Sequence, residues 1–278
     1  MSRRWRSIDN SAPERGRALS FPHRLDILKI SVITVTYNSA ATIVESLRSV
    51  AAQIHPDIEH IIIDGGSTDA TLRLIEAHGQ HVARVVSEPD DGIYDAMNKG
   101  FRLATGELVG CLNSDDDFTT PDILADVARL ATERGADAVY GDVIHIDPAR
   151  ANQLVRYWSA GSYALSKVRL GWMPPHPTLY VRRAVIERIG AFDAALRIAG
   201  DYEFMLKLFK QPGLKVAYLP KVMVSMRVGG ASQRSFGALV RKSCEDLVAL
   251  RRHRMGGLVA LACKNLRKVP MLFARPPA

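Results

Sequence analysis

An acidic run at residues 113–117 (Asn-Ser-Asp-Asp-Asp) directly follows the apolar stretch 107–112. The apolar stretch predicts a buried strand, and ligands in open α/β sheets bind at the carboxyl ends of the strands. Carboxylate oxygens at such a place suit Mg²⁺ or Mn²⁺, which prefer oxygen ligands and often hold phosphate groups. The run therefore indicates a metal site. An acidic turn that caps the next helix is the alternative, because Asp and Ser are common loop and cap residues.

A second polar segment, residues 64–69 (Asp-Gly-Gly-Ser-Thr-Asp), follows another predicted strand. Its two glycines allow close approach of the backbone to a ligand, and Asp64 could accept hydrogen bonds from a nucleobase or a ribose. The alternative is a tight turn with Asp69 in the first turn of the next helix. The segment is not a phosphate loop, because it lacks the Lys-Ser/Thr ending, and it also lacks the glycine spacing of a dinucleotide site.

The segment 88–100 is unusually polar for a junction between a strand and a helix. Asp91, Asp95 and Lys99 are spaced four residues apart, so Asp95 and Lys99 share one face of the predicted helix. The functional interpretation places this helix start beside a nucleotide diphosphate. A solvated ion pair is the alternative.

Three further positions in the second half are candidates for chemistry or for closing a site. Asp201 lies at the start of a predicted helix, where it is either a general base presented to a substrate hydroxyl or a helix cap. His176 is flanked by prolines that stiffen its loop, and its alternative is a structural histidine. Gly230 and Ser232 belong to a glycine-rich segment that is either a loop closing over a ligand or a linker.

The elements that must position these residues alternate regularly over the first half of the chain. Stretches rich in β-branched residues predict strands, and amphipathic stretches between them predict helices. This spacing implies βαβ units and a mostly parallel, doubly wound sheet. The predicted strands span 30–36, 58–63, 82–86, 107–112 and 136–146, followed after Pro148 by 178–181, 216–219 and 222–227. The predicted helices span 40–52, 69–78, 92–105, 200–210 and 236–252, with one more opening at Thr120-Pro121.

Composition bounds the class of protein. The chain has 278 residues, of which 47% are hydrophobic and 24% are charged, as in soluble globular proteins. Its three scattered cysteines argue for a reducing cytoplasm and against a disulfide or zinc framework. No stretch approaches the about 20 apolar residues of a membrane-spanning helix, and the N-terminus lacks the apolar region of a secretory signal. We therefore expect a cytoplasmic protein.

Charge is distributed unevenly along the chain. The net charge of +8 combines +4 over residues 1–29, −5 over the centre and +9 over residues 227–278. An acidic centre does not favour nucleic-acid binding, but it fits a metal site, with anionic surfaces met by the ends. Cations near the C-terminus surround the short apolar run 258–263, a pattern that could lie on the anionic inner face of a membrane. A solvated helix packed on the domain is the alternative.

Five motifs appear in a fixed order: residues 32–38 (Val-Ile-Thr-Val-Thr-Tyr-Asn), 63–69, 91–100, 104–107 (Ala-Thr-Gly-Glu) and 112–116. Together they resemble the family 2 glycosyltransferases of the GT-A fold, in particular those of bacterial polysaccharide and glycolipid synthesis. The resemblance covers residues 30–232. It implies a Rossmann-like, mostly parallel sheet flanked by helices, with a nucleotide-sugar half (30–147) and an acceptor half (148–232). A flexible basic tail (1–29) would precede this domain, and a basic amphipathic helical extension (233–278) would follow it.

The resemblance also implies an activity and its residues. Such an enzyme inverts the anomeric centre as it moves a sugar from a nucleotide diphosphate, most often UDP, to a glycan or lipid-linked acceptor in cell-surface synthesis. Asp201 falls on the catalytic base, Asp115 on the ligand of a divalent metal (Mg²⁺ or Mn²⁺) with Asp116 in support, and His176 on a histidine of the acceptor side. Asp117 is left to a turn or cap. Donor-binding roles fall on Thr36, Tyr37, Asn38, Asp64, Gly65, Asp91, Asp95, Lys99, Asn113 and Ser114.

The sequence departs from the family pattern at three places. Asn113 replaces the first Asp of the metal motif, Gly65 replaces a second Asp after Asp64, and Gly200 replaces a Glu before the base. Asn113 keeps open a second hypothesis, a nucleotide-sugar-binding module of the same fold without catalysis. A nucleotidyltransferase is a third, but it would show a basic, glycine-rich phosphate signature near the first strand, and residues 34–39 have none.

Overall fold

The computed structural model describes residues 27–150, 152–228, 236–267, 274 and 276. Most of the predicted N-terminal tail lies outside these residues, as do Gly230 and Ser232. The strands are β1 (Ile30–Thr36), β2 (Ile58–Asp64), β3 (Val82–Ser87), β4 (Leu108–Cys111), β5 (Asp116–Phe118), β6 (Ala138–Asp147), β7 (Gln153–Trp158), β8 (Tyr180–Arg182) and β9 (Val216–Arg227). The helices are α1 (Ile43–Ala51), α2 (Thr71–His78), α3 (Ile93–Leu103), α4 (Ile123–Arg134), α5 (Leu165–Arg169), α6 (Arg183–Ile189), α7 (Gly200–Phe209), α8 (Phe236–His253) and α9 (Gly257–Leu266).

The first half is the predicted parallel unit. Strands β3, β2, β1 and β4 lie side by side in that order, and all three pairings between them are parallel. The register sets Thr36 at the end of β1 opposite Asp64 at the end of β2. The polar segments that follow β1, β2 and β4 therefore emerge at the same edge of the sheet, as ligand-binding loops do in open α/β folds.

The second half extends this sheet with strands of mixed direction. The order over the described residues is β3-β2-β1-β4-β8-β6-β9-β5, with β7 paired to β6. Strand β8 is antiparallel to both β4 and β6, whereas β9 is parallel to β6. The two short strands predicted at 216–219 and 222–227 are one strand, β9, whose pairing with β6 shifts register. Pro220 lies at the shift, where it cannot donate a hydrogen bond to the ladder.

The prediction that Asp117 lies in a turn or cap is wrong. Residues Asp116–Phe118 form the short strand β5, in which Asp117 pairs with Ser225 of β9. Phe118 is buried in the core and anchors the strand. The run of acidic residues therefore begins in a loop and ends in the sheet.

The core lies on both faces of the sheet, because alternate residues of a strand point to opposite sides. Ile33 and Val35 of β1 pack in one cluster with α3 and α7. Ile30 and Val32 pack in another with α4. Helices α8 and α9 contribute to the first cluster through Ala249, Leu250, Met255 and Ala260. Helices α8 and α9, which we call the C-terminal hairpin, thus pack on the same side of the sheet as the helix that carries Asp201.

Candidate active site

Three loops at the carboxyl edge of the sheet are joined by polar contacts. The backbone of Asn38 adopts a left-handed conformation with φ of 49°. Its amide donates to Ser67 Oγ at 2.8 Å, and its Oδ1 accepts from the Thr68 amide at 2.9 Å. The hydroxyls of Ser39 and Ser114 lie 2.9 Å apart. These contacts bring together the predicted residues that follow β1, β2 and β4.

Asp64 is buried, and its carboxylate accepts four hydrogen bonds from its own chain. Oδ2 accepts from the amides of Gly66 and Ser67 and from Ser87 Oγ, and Oδ1 accepts from Ser67 Oγ. A carboxylate offers about four acceptor positions, and the contacts within the protein already number four. Asp64 shapes the loop, and its direct contact with a nucleotide stays a prediction.

Gly65 lies where a side chain would collide. A Cβ at this position would lie 2.5 Å from Asp90 Oδ2 and 3.5 Å from the Tyr37 ring. The Asp90 carboxylate is the end of a flexible side chain, so it would have to shift to admit a larger residue at position 65. The Tyr37 ring is 63% exposed, so its face is available for stacking. Thr36 Oγ1, next to it, is buried and has no hydrogen-bond partner within the described residues.

Lys99 holds the segment between β3 and α3. Its Nζ lies 2.9 Å from Glu88 and 3.6 Å from Asp95, and it donates to the Pro89 carbonyl at 2.8 Å. The predicted shared face of Asp95 and Lys99 is therefore confirmed. The Asp91 amide donates to Asp95 at 3.3 Å. The Lys99 ammonium is therefore already paired with groups of the protein. The role of Asp91, Asp95 and Lys99 beside a nucleotide diphosphate stays a prediction.

The side-chain amide of Asn113 donates a hydrogen bond that an aspartate at this position could not donate when ionised. Its Nδ2 donates to Asp116 Oδ2 at 3.1 Å, and the side chain of Asp116 is buried. Burial and the neighbouring Asp115 raise the pKa of Asp116 well above its usual value. Burial and Asp115 also raise the pKa of Asp117 to about 6. A carboxylate at position 113 would face a buried carboxyl group, whereas the amide donates to it.

The acidic run fits a divalent cation in its donor chemistry. Asp115 is partly exposed, and no other described side chain donates to its carboxylate. Asn113 Oδ1 and Asp117 Oδ1 are buried without a hydrogen-bond partner in the described part of the chain. No group of three or more His, Cys, Asp or Glu side chains converges there. The residues fit a cation that takes one carboxylate from the protein and further oxygens from phosphates and water, as Mg²⁺ often does.

Asp201 lies in the first turn of α7 with one oxygen held and one oxygen open. Its Oδ1 accepts from the Tyr202 amide at 2.7 Å. The Tyr94 hydroxyl lies 3.3 Å from the same oxygen and donates to the Ile198 carbonyl at 2.7 Å. Among the described residues, no donor reaches Oδ2. A helix N-terminus favours negative charge, so α7 presents an anchored carboxylate with a free oxygen.

Gly200 is required by the ring of Tyr94. A Cβ at this position would lie 2.7 Å from two ring carbons. Tyr94 is itself fixed by its hydrogen bond to the backbone just before α7. The glycine that replaces Glu before the base therefore has a packing cause. It permits the close contact between the starts of α3 and α7.

Several charges act on Asp201. Burial raises its pKa, but Lys242, His176 and Lys264 act in the opposite direction, so the pKa of Asp201 is lowered overall. Burial lowers the pKa of His176 as well. The imidazole is therefore mostly neutral near pH 7, and Lys242 is the largest of the charges that lower the pKa of Asp201. Asp201 is ionised at neutral pH and able to accept a proton.

Sequence reasoning missed the contribution of the C-terminal hairpin to this site. It assigned the cations of the extension to a membrane surface or to solvent, yet Lys242 and Lys264 face the helix of Asp201. One signal was present, because Lys242 and Asp246 stand four residues apart and form an ion pair of 3.7 Å. It also missed Tyr94, which lies within the polar segment 88–100 and was given no role of its own.

The fold and the site together define a glycosyltransferase of the GT-A type. The structure of TarS 1–349 from S. aureus aligns with a TM-score of 0.62 and 24% identity, over 80% of this chain and 65% of that one. The alignment thus spans just under two thirds of the TarS fragment. The mannosyltransferase PcManGT from Pyrobaculum calidifontis, in complex with GDP-Man and Mn²⁺, aligns with a TM-score of 0.61 and 19% identity, over 88% and 73%. At these identities the likeness establishes the fold, and it confirms the predicted fold class.

Sequence comparison identifies the family. The family model for glycosyl transferase family 2 matches residues 31–196. A PGL/p-HBAD biosynthesis glycosyltransferase of Mycobacterium bovis is 32% identical over 213 residues, covering 75% of this chain and 78% of that one. An uncharacterized glycosyltransferase of Mycobacterium tuberculosis is 33% identical over 180 residues, covering 64% and 68%. The chain belongs to glycosyl transferase family 2 and is a glycosyltransferase, which argues against the binding-module and nucleotidyltransferase alternatives.

Proposed function

We propose that this enzyme transfers a hexose from a nucleotide diphosphate to a hydroxyl group of a glycan or lipid-linked acceptor, with inversion at the anomeric carbon. One observation carries the proposal. Asp201 is ionised, fixed through Oδ1 by the Tyr202 amide and open at Oδ2. This is the arrangement that a general base needs, because the open oxygen can receive a proton while the other is held.

UDP is the proposed nucleotide. TarS 1–349 has been solved in complex with UDP and with UDP-GlcNAc, and these structures share the fold of this chain. The exposed Tyr37 ring offers a stacking surface for a base. The name of the mycobacterial relative supports an acceptor from glycolipid synthesis. The sugar itself is left to experiment.

The transfer is a single displacement. Oδ2 of Asp201 takes the proton of the acceptor hydroxyl. At the same time the oxygen of that hydroxyl forms a bond to the anomeric carbon. The bond from that carbon to the diphosphate oxygen breaks on the opposite face, and its electron pair leaves with the nucleotide. A divalent cation at Asp115 would offset the negative charge on the leaving diphosphate. The protein needs no second carboxylate as a nucleophile, unlike an enzyme that retains configuration.

The decisive test is the substitution Asp201→Asn. The amide cannot accept the proton, so we expect transfer to fall by roughly 10²–10⁴-fold. Stabilisation by UDP in a thermal shift assay should persist, because the nucleotide loops are unchanged. Asp126→Asn on α4, whose partners Arg129 and Lys221 lie at the surface, is the matched control. Full activity of Asp201→Asn would remove Asp201 from the reaction.

We also propose that the outer face of α8 and α9 rests on an anionic membrane. Four apolar side chains there are 47–65% exposed: Val240, Val248, Leu258 and Val259. Exposed cations lie on or next to these helices, namely Arg241 in α8, Arg254 just after α8 and Arg267 just after α9, and each could contribute about 1 kcal/mol near an anionic surface. A groove of about 330 Å³ between the helices is lined by Val240, Ser243, Cys244, Leu247 and Leu261. Among the described helices, none is both long and apolar enough to cross a bilayer.

Co-sedimentation with vesicles tests the membrane contact. The intact chain should bind vesicles that contain anionic lipid and bind neutral vesicles weakly. The double variant Leu258→Glu and Val259→Glu adds negative charge to the exposed face and should lose this binding. Equal binding by the variant, or by neutral vesicles, would contradict the proposal.

A further inference from the structure

The turn that leads into α7 is held from outside by one side chain of α8. Glu245 Oε2 accepts from the amides of Ile198 and Ala199 at 2.8 Å and 2.9 Å, and Oε1 lies 3.3 Å from the Arg197 amide as its acceptor. These three consecutive amides precede Gly200 and Asp201. Because these amides lie before the first turn of α7, Glu245 fixes the turn that leads into the helix rather than capping the helix itself.

A buried cluster of charges lies on the other side of the same helix start. Lys264 of α9 is 5% exposed, and its Nζ lies 2.7 Å from Asp246 and 3.3 Å above the centre of the Tyr202 ring. Lys242 lies 3.7 Å from the same carboxylate. Two lysines and one aspartate leave a net positive charge, and a buried charge is costly without a partner. The carboxylate of Asp201, adjacent to Tyr202, supplies the balancing negative charge.

Further contacts fasten α8 along the rest of this region. Arg252 lies 2.5 Å from Asp193, which begins the segment before α7. His253 Nε2 lies 2.7 Å from Glu203 Oε1, in the turn that follows Asp201. The hairpin therefore contacts the chain before Asp201, beside it and after it.

We infer that Glu245 and the cluster Lys242–Asp246–Lys264 are positioning residues for Asp201: they fix the turn that carries the base and keep its carboxylate ionised. The inference rests on the proposed role of Asp201 as the base. The groups that face Asp201 are Tyr94 from α3, His176 from the turn before β8, Lys242 from α8 and Lys264 from α9. The match to the family model ends at Leu196, before the residues of α8 and α9 that take part in these contacts.

Lys264 can serve in this way at neutral pH. Burial and Lys242 lower its pKa to about 8, although Asp246 acts to raise it. The ammonium therefore remains mostly charged near pH 7. Removing it leaves Lys242 and Asp246, whose charges cancel, so Asp201 loses the net positive charge beside it and should be protonated more readily.

The first test is the pH dependence of kcat/KM for Lys264→Met. Its acid limb reports the protonation of the free enzyme's base, and we expect its midpoint to rise by about one pH unit or less. The KM for the nucleotide sugar should stay unchanged. A merely structural lysine would alter stability or amplitude without moving this midpoint. An unmoved midpoint would overturn the electrostatic part of the inference.

The second test compares Glu245→Ala with Glu245→Gln. Ala removes all three acceptor contacts, so kcat should fall about tenfold or more while UDP binding persists, because a small misplacement of a catalytic group is costly. Gln keeps an acceptor oxygen and should recover part of the loss. Glu133→Ala, which removes an exposed carboxylate from α4, is the control. Equal kcat in all three would overturn the positioning role.

The outcomes separate the two proposals. If Asp201→Asn retains full activity, the proposed base is wrong, whatever the hairpin variants do. If Asp201→Asn is inactive but the Lys264 and Glu245 variants match the parent enzyme, the inference alone fails. Thermal unfolding of each variant identifies any that does not fold. Should Lys264→Met be unfolded, the Glu245 pair decides.

Discussion

Asn113, which stands where the family pattern has the first Asp of its metal motif, donates a hydrogen bond of 3.1 Å to Asp116. The amide avoids repulsion against a buried carboxyl group whose pKa is already raised by burial and by Asp115. The cation-binding character of the run then depends mainly on Asp115. The amide at position 113 therefore stabilises the metal-free protein, and the run has one negative charge fewer for binding a cation.

We predict that Asn113→Asp makes the metal-free protein less stable and its binding of a cation tighter. The new carboxylate lies beside Asp116, so we expect the metal-free protein to lose about 1–3 kcal/mol of unfolding free energy near pH 8. Adding Mn²⁺ should recover part of this loss, because the variant binds a cation more tightly. Urea titrations with and without Mn²⁺ measure both effects. A variant as stable as the parent without metal would contradict the account of Asn113.

Asp115→Ala tests the metal ligand itself. Removal of the carboxylate should abolish the increase in UDP affinity that Mn²⁺ produces in the parent enzyme, because no other described carboxylate in the run is both open and partly exposed. Isothermal titration calorimetry of UDP with and without Mn²⁺ gives the difference. Asp122→Ala, at the surface after the run, serves as the control. An unchanged Mn²⁺ effect would exclude Asp115 as the ligand.

The residue types and their order predicted where the candidate residues lie in the fold, while their roles stay predictions. Asp64 ends strand β2, Asp115 lies in the loop before β5, and Asp201 lies in the first turn of α7. What could not be predicted was how each carboxylate is used. Asp117 pairs with Arg227 at 3.4 Å, across a distance in sequence that no local pattern bridges.

Helix α3 determines how the two halves of the site meet. It packs on β1 through Gly100, where a Cβ would lie 2.4 Å from Ile33 Cγ2. At its other end it carries Tyr94, which contacts the turn before Asp201. The distance between α3 and the sheet is therefore set by a position that admits no side chain, and Tyr94 transmits that distance to the base.

Gly100→Ala should displace this helix. The collision is with a buried side chain, so we expect a loss of about 1–3 kcal/mol of unfolding free energy and a fall in kcat, although alanine normally favours a helix over glycine. Arg102→Ala, at an exposed position of the same helix, should have little effect on either quantity. Denaturant unfolding and steady-state kinetics measure the two. A stabilised Gly100→Ala variant would show that α3 is free to move.

Elements of regular period were predictable, whereas strand β5 was not. The strands and helices of the first half follow apolar patterns long enough to read. Strand β5 has three residues, too few to establish a period of two, and it forms because β9, distant in sequence, offers it a partner. Strand β8 is equally short, and the strand predicted at 178–181 overlaps it at two residues.

The whole molecule should lose stability in acid through buried histidines. His60 is buried between Thr34 and His81, and burial, with His81, lowers its pKa to about 3. Burial, with Arg156, lowers the pKa of His145 to about 3 as well. In the unfolded chain both titrate near pH 6.5, so below that pH the unfolded state binds more protons. The unfolding free energy therefore decreases as the pH is lowered through this range.

Each such histidine contributes up to about 1.4 kcal/mol per pH unit below pH 6.5. We therefore expect the unfolding free energy to decrease between about pH 7 and pH 5, and we expect His60→Gln to show a smaller decrease than the parent. His78→Gln on α2 is the control. Urea unfolding at several pH values gives the slopes. Identical slopes for all three proteins would show that His60 becomes protonated in the folded state.

At the scale of the whole chain, the parallel half could be predicted because its pairings join neighbouring βαβ units. The mixed half could not, because β8 lies between β4 and β6 only when residues far apart in sequence meet. The packing of α8 and α9 on α7 was equally hidden. Their basic composition indicated a surface, whereas Lys264 is buried.

The contacts between Glu245 and residues 197–199 determine where this enzyme could be joined to a relative to make a hybrid protein. The match to the family model ends at Leu196. A hybrid joined at that limit would pair the acceptor-side base of one parent with the sheet of another. A join made after residue 232 would separate the base from Glu245 and Lys264. The unit of exchange that keeps its chemistry intact therefore runs from residue 193 to residue 266, and a library of hybrids should yield active members mainly when that block is inherited whole.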